Sequence, residues 1–116
     1  MKLLPPEYIN QDSRRVLKQL LTAGISQVNI YEAKRGSLLG NHYHKETLEY
    51  FLIIKGTVLV VTRHVGQTMP NSQVVNKDNL FVVETGEIHT IECLTNVTML
   101  TFLTKAYNSD DPDTYK

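Results

Sequence analysis

The sequence has little cysteine, no net charge and no long apolar run, and each of these absences excludes something. A single cysteine, Cys93, stands among 116 residues, so no intrachain disulfide can form, and no paired Cys–His spacing of a structural zinc site is present. The expectation is a protein of a reducing compartment. Lys and Arg number 12, and so do Asp and Glu. That balance argues against a chain that captures nucleic acid or an anionic membrane by electrostatics. The opening leucines Leu3 and Leu4 are stopped by Pro5-Pro6, and nothing approaches the ~20 apolar residues that span a bilayer. With no signal-peptide pattern either, the chain reads as cytoplasmic, with no nucleic-acid and no membrane partner. There is no internal repeat, and the length fits one domain that buries roughly two-thirds of its unfolded surface.

What is present is a rhythm of short β-type runs. Residues 1–12 read as an extended, proline-containing arm able to lie along a neighbouring subunit. Residues 13–22 admit two readings, a short helix capped by Asp12 or Ser13 or an early strand. Strand or turn is preferred, because everything that follows is β. From Ser26 onward, runs rich in β-branched and aromatic residues alternate with turn chemistry: Gln27–Lys34, Leu38–His44, Leu48–Lys55, Val58–His64, Gln73–Asn76, Leu80–Val83, Ile88–Cys93 and Val97–Lys105. Turns every 8–12 residues between such runs predict an all-β sandwich or barrel of antiparallel strands. The domain is expected over 13–105, followed by a loose polar tail over 106–116.

The chemistry concentrates in Gly36–Glu49. Residues two apart on a strand project from one face, with Cα atoms about 6.5–7 Å apart, so His42 and His44 can converge on one ion at about 2.0–2.1 Å. Glu49 follows the Lys45-Glu46-Thr47 turn and shares parity with Phe51 and Ile53, the side chains expected inside the barrel. Glu46 competes for the carboxylate role but sits in the turn, where solvation is expected. His89, after the Thr85-Gly86-Glu87 turn, is unremarkable alone and completes a coordination sphere when taken with the others.

These residues resemble the two motifs of the cupin superfamily. Gly36, His42, His44, Glu49 and Gly56 keep every spacing of the first motif. Asp78, Glu84, Gly86 and His89 follow the second, with Asp78 in place of its opening glycine, Glu84 in place of its proline and Cys93 in place of its closing asparagine. The resemblance implies a cupin jelly-roll β-barrel and a homodimer. It also implies one divalent metal ion held by His42, His44, Glu49 and His89 beside a pocket at one barrel mouth. Imidazole and carboxylate do not distinguish Zn, Fe, Mn, Ni and Cu.

Within the superfamily, Gly40–Lys45 with the strand after Glu49 is most similar to the cupin domains of polysaccharide and nucleotide-sugar biosynthesis proteins. Asp12–Leu17 resembles an early segment of theirs, with Arg15 where they carry glycine. That resemblance implies a small polar substrate and isomerase or epimerase chemistry, meaning proton abstraction beside a ketone with stabilisation of the enediolate. Two alternatives stay open: an O2-activating metal-dependent dioxygenase, and a non-enzymatic module that binds a small ligand. Candidates for a titrating group are His64 and Tyr31, and for a phosphate contact Arg35 and Arg63, although ordinary surface positions account for all four. Tyr43 and Tyr50 have the opposite parity to the ligands and are expected to face outward. Cys93 is expected to be a buried, inert thiol.

Overall fold

The computed structural model describes residues 1–116. It contains no helix, so no helix long and apolar enough to cross a membrane. Its first strands are β1 (Lys2–Leu4), β2 (Tyr8–Gln11), β3 (Val16–Gln19) and β4 (Gln27–Ala33). Next come β5 (Leu38–His42), β6 (Glu49–Lys55), β7 (Thr57–His64) and β8 (Asn71–Asn76). The last three are β9 (Leu80–Val83), β10 (Glu87–Cys93) and β11 (Val97–Leu103). One sheet has the order β1-β9-β6-β11-β4 and the other β5-β10-β7-β8, and every pairing is antiparallel.

Strict alternation explains why these segments are strands. Along β6, Glu49, Phe51 and Ile53 are buried while Tyr50 and Leu52 are only half-buried, and β10 and β11 repeat the pattern. A period of two places every second side chain on one face. The inner faces of both sheets meet in one core. Phe51, Ile53, Phe81, Val83, Val97 and Met99 come from the first sheet, and Val58, Val60, Val75, Ile91 and Cys93 from the second. Each such burial is worth about 1.5–3 kcal/mol for a large apolar side chain, and this shared core closes the two sheets into the expected jelly-roll barrel.

Gly56 shows why the first motif needs its closing glycine. It turns β6 into β7 at φ +94°, and a Cβ there would meet the Asn96 carbonyl oxygen at 2.3 Å. Asp78, where the second motif opens on glycine, adopts the same left-handed region at φ +71°, a conformation that aspartate tolerates better than most residues.

Two segments differ from the sequence-based expectation, and a third decides between its two open readings. Residues 2–4, expected within a free arm, form the edge strand β1 on β9. Residues 13–22 take the preferred strand-and-turn reading and not the helix: β2 and β3 form a separate two-stranded ribbon, and the carboxylate of Asp12 accepts the amides of Arg14 and Arg15 in its turn. The segment expected as a loose tail folds back across the barrel mouth, where Tyr115 forms a β-bridge with Tyr43.

The core generates a direct prediction. Phe81 is fully buried and stacks on Phe51 at a centroid distance of 4.8 Å. Phe81→Ala is expected to cost about 3–5 kcal/mol of stability, read from chemical-denaturant unfolding. A loss below ~1 kcal/mol would mean that the core does not depend on this side chain.

Candidate metal centre and its cavity

Each of the four donors is placed by a different local device. Glu49 opens β6 with inward parity, as its spacing from Phe51 and Ile53 requires. His89 lies within β10 and is paired with His42 on one side and with Thr62 on the other. His42 ends β5, but not as the last turn of a regular strand. Gly40 and Asn41 have φ values of +92° and +63°, and the β5–β10 register shifts between His89 and Thr90. Asn41 is thus the extra residue of a bulge that re-aims His42. A Cβ on Gly40 would meet the His89 carbonyl oxygen at 2.6 Å, so only glycine lets the strands approach this closely.

His44 corrects the expectation of a strand running through to residue 44, because β5 stops at His42. Parity therefore does not bring the two histidines together. The bulge and the following loop do, with ring centroids 5.0 Å apart.

The donor atoms of His42, His44, Glu49 and His89 all lie within 4.8 Å of one another. A Glu49 carboxylate oxygen is 3.1 Å from His44 Nε2 and 3.6 Å from His89 Nε2. On the outer side, His44 Nδ1 donates to the Asp113 carbonyl at 2.6 Å, and His89 Nδ1 faces the Glu87 carbonyl at 3.3 Å. Carbonyls accept only, so both rings carry a proton on Nδ1 and turn Nε2 toward the shared centre. This is the arrangement a metal-ligating imidazole uses. Burial, reinforced by the neighbouring His44, pushes the His42 pKa down. Burial also pushes that of His89 down to about 4, although the Glu49 charge opposes it. Both are neutral at pH 7, as ligation demands. Burial acts against the charged form of His44 too, but its bonds to Glu49 and to the Asp113 carbonyl outweigh this and raise its pKa. Three neutral-capable imidazoles and one carboxylate around one point fit a divalent ion by donor chemistry.

The donors form the floor of a cavity of about 630 Å³, within the size range of small-molecule sites. Leu39, Phe51, Ile91, Met99 and Leu103 supply its apolar wall. A polar wall, which the sequence reading did not assign, comes from β4 and the C-terminal segment. Gln27 Nε2 donates to Asn29 Oδ1 at 3.1 Å, and Asn29 Nδ2 lies 3.4 Å from the Thr101 hydroxyl. The amide of Tyr107 donates to Gln27 Oε1 at 2.9 Å. Inward parity on β4 was the available signal, but the polar character of Gln27 and Asn29 points the wrong way for a buried face.

Of the four secondary candidates, Tyr31 alone reaches the cavity, where burial and the Glu49 charge raise its phenol pKa above the ordinary value. His64, Arg35 and Arg63 lie outside it, and Arg63 is bonded to the Gln67 carbonyl at 3.0 Å. Tyr43 and Tyr50 are likewise absent from the wall, and Glu46 is exposed and paired with Lys105. Cys93 is buried in the apolar core rather than in the pocket, and burial pushes its thiol pKa up.

The family model described as the polysaccharide biosynthesis C-terminal domain matches residues 10–115. The chain belongs to that family. No curated protein matches it in sequence. Among solved structures, the capsular polysaccharide assembling protein CapF from Staphylococcus aureus is 28% identical with a TM-score of 0.73, over 99% of this chain and 32% of CapF. The chain thus spans about a third of CapF. A 3,4-ketoisomerase from Helicobacter canadensis reaches a TM-score of 0.78 at 18% identity, covering 97% of this chain and 87% of that one. The Mycobacterium tuberculosis rmlC epimerase reaches 0.72 at 20% identity, covering 95% and 70%. The last two show the fold alone. That shared fold is the all-β jelly-roll barrel that the cupin motifs of the sequence imply.

The bulge yields a test. Gly40→Ala combines an unfavourable φ with a clash against the backbone of His89, so a loss of about 1–3 kcal/mol is expected. It should be accompanied by displacement of the His89 ring resonances in NMR spectra. Wild-type stability with unmoved His89 resonances would show that the bulge does not place this donor.

Proposed function

We propose that His42, His44, Glu49 and His89 hold one divalent metal ion, and that the domain works as a homodimer on a small carbohydrate or nucleotide-sugar ketone, as an isomerase- or epimerase-like protein. The observation that carries this reading is the convergence of the four donors in a cavity that is also lined by the amides of Gln27 and Asn29 and the hydroxyls of Tyr31 and Thr114. A polyhydroxylated substrate needs such a wall, since each buried hydroxyl left unpaired is costly. A bound divalent ion would supply Lewis-acid stabilisation of developing negative charge on an oxygen.

The residues of the chain have definable tasks in this reading. Asn29 and Gln27 orient substrate hydroxyls, held in place by Thr101 and the Tyr107 amide. Tyr31, with its phenol pKa raised, stays protonated at neutral pH and serves as a donor rather than a base. Leu39, Phe51 and Met99 exclude water from the reacting face. One relative adds support. CapF is described as assembling capsular polysaccharide, and it has been crystallised with the inhibitor 3-isopropenyl-tropolone. Tropolones as a chemical class chelate divalent metals through adjacent oxygens.

The decisive experiment is elemental analysis of untagged protein, followed by incubation with keto-sugar nucleotides in deuterated water. About one metal equivalent per chain is expected for wild type, none for His42→Ala, and deuterium is expected to enter beside the substrate carbonyl. Wild-type protein that neither contains nor takes up metal would overturn the metal assignment. Metal without deuterium incorporation would overturn the isomerase reading and favour a ligand-binding role.

A further inference from the structure

His44 is the donor that no strand holds. β5 ends at His42 and β6 begins at Glu49, leaving residues 43–48 as loop, yet His44 is buried with 8% of its surface exposed. A loop residue keeps one orientation in a site only when something outside the loop fixes it.

That fixing comes from residues 113–115. The Asp113 carboxylate accepts the amide N–H of Lys45 on Oδ1 at 2.8 Å. Its Oδ2 accepts the amides of Glu46 and Thr47 and the Thr47 hydroxyl, each at 2.8 Å. The carbonyl of the same residue accepts His44 Nδ1–H at 2.6 Å. On the other flank, Tyr115 exchanges both backbone hydrogen bonds with Tyr43, at 2.9 and 3.0 Å. The Lys45 ammonium lies 4.1 Å from the centroid of the Tyr115 ring. The carbonyl of His44 itself accepts from Gly86 N–H at 2.8 Å. Every residue from 43 to 47 is thereby tied down, and one residue, Asp113, holds both the loop and the ring.

We propose that Asp113 is a positioning residue for the metal-binding role of His44: its carboxylate fixes the 45–47 turn, and its carbonyl fixes the ring proton on Nδ1 so that Nε2 faces Glu49, His42 and His89. The inference rests on the metal reading above and adds a residue nearly seventy positions away in sequence to the site. The two functions of Asp113 are coupled. Four charge-assisted hydrogen bonds anchor its side chain, and that anchoring determines where its own carbonyl points. Outer partners of ligating histidines typically influence metal affinity by about 10–100-fold.

The test uses the full chain stripped of metal, titrated with zinc and with cobalt. Asp113→Ala is expected to bind either ion about 10–100-fold more weakly than wild type. Asp113→Asn, which keeps the shape but turns an amide N–H2 toward backbone donors, should lose less. Asp110→Ala removes a nearby carboxylate that makes no such bonds and should bind as wild type does. A second readout needs no metal. Imidazole 15N spectra of the apo protein at alkaline pH should show His44 protonated on Nδ1 in wild type and shifted toward Nε2 in Asp113→Ala. Should Asp113→Ala fail to fold, Asp113→Asn supports both comparisons. Wild-type affinity in a folded Asp113→Ala would overturn the positioning role while leaving the metal assignment intact. If wild type takes up no metal, the metal assignment fails, and an unchanged His44 tautomer in the variant would then overturn the role of Asp113 as well.

Discussion

Everything at this barrel mouth depends on one constraint: a carboxylate and three imidazoles share a space from which water is largely excluded. Glu49 is buried, and so are His44 and His89. An uncompensated charge in such a place is destabilising by several kcal/mol, so the cluster has to carry its own neutralisation. Glu49 has His44 beside it, whose pKa is raised by that carboxylate and by the Asp113 carbonyl against the opposing effect of burial. His89 does not share this role, since burial holds it neutral well below pH 7. The asymmetry follows from position: His89 lies inside a strand pair, while His44 lies at the rim beside the chain's own folded-back segment.

Much of this was legible in the sequence because it is local. The period of two fixes which residues of β6 and β10 point inward, and it placed Glu49 with Phe51 and Ile53 correctly. The first-motif glycines are readable because their cause is steric and lies within a few residues, as at Gly56. Even a departure is intelligible: Asp78 stands where the motif has glycine and adopts the left-handed conformation that the turn demands. By contrast, the convergence of His42 and His44 was expected for a reason that does not apply. The structure brings them together through a bulge whose extra residue is defined only against β10. Register across a strand pair is a relation between segments far apart in sequence, and no local pattern encodes it.

The C-terminal segment illustrates the same limit more strongly. Asn108–Asp113 is polar and contains proline, the composition of a loose tail. What orders it is a set of hydrogen bonds from Asp113 to residues 45–47 and a bridge from Tyr115 to Tyr43, none of which has a sequence-local signature. The edge strand β1 is a comparable case, since three residues before a Pro-Pro pair gain their strand character only by pairing with β9.

The edge strand β4 carries the argument furthest from sequence toward function. Its apolar side chains are largely exposed, Val28 by 56% and Ile30 by 63%, while Gln27, Asn29 and Tyr31 line the cavity together with part of Ile30. By hydrophobic patterning alone this strand would be inverted, and a slip of one residue would turn every side chain over. The observed register is kept by a full ladder with β11, from Gln27–Leu103 to Ala33–Val97, and by the Gln27–Asn29–Thr101 chain of hydrogen bonds on the inner face. A strand that exposes its valine and isoleucine so as to turn amides and a phenol inward gives up apolar burial. Such local conflicts between pattern and structure concentrate where a protein meets a ligand. Here the conflict lies in the same cavity as the histidine–glutamate cluster, and a continuous row of register pairs, Gln27–Leu103–Glu49, ties the polar edge strand to the carboxylate of that cluster.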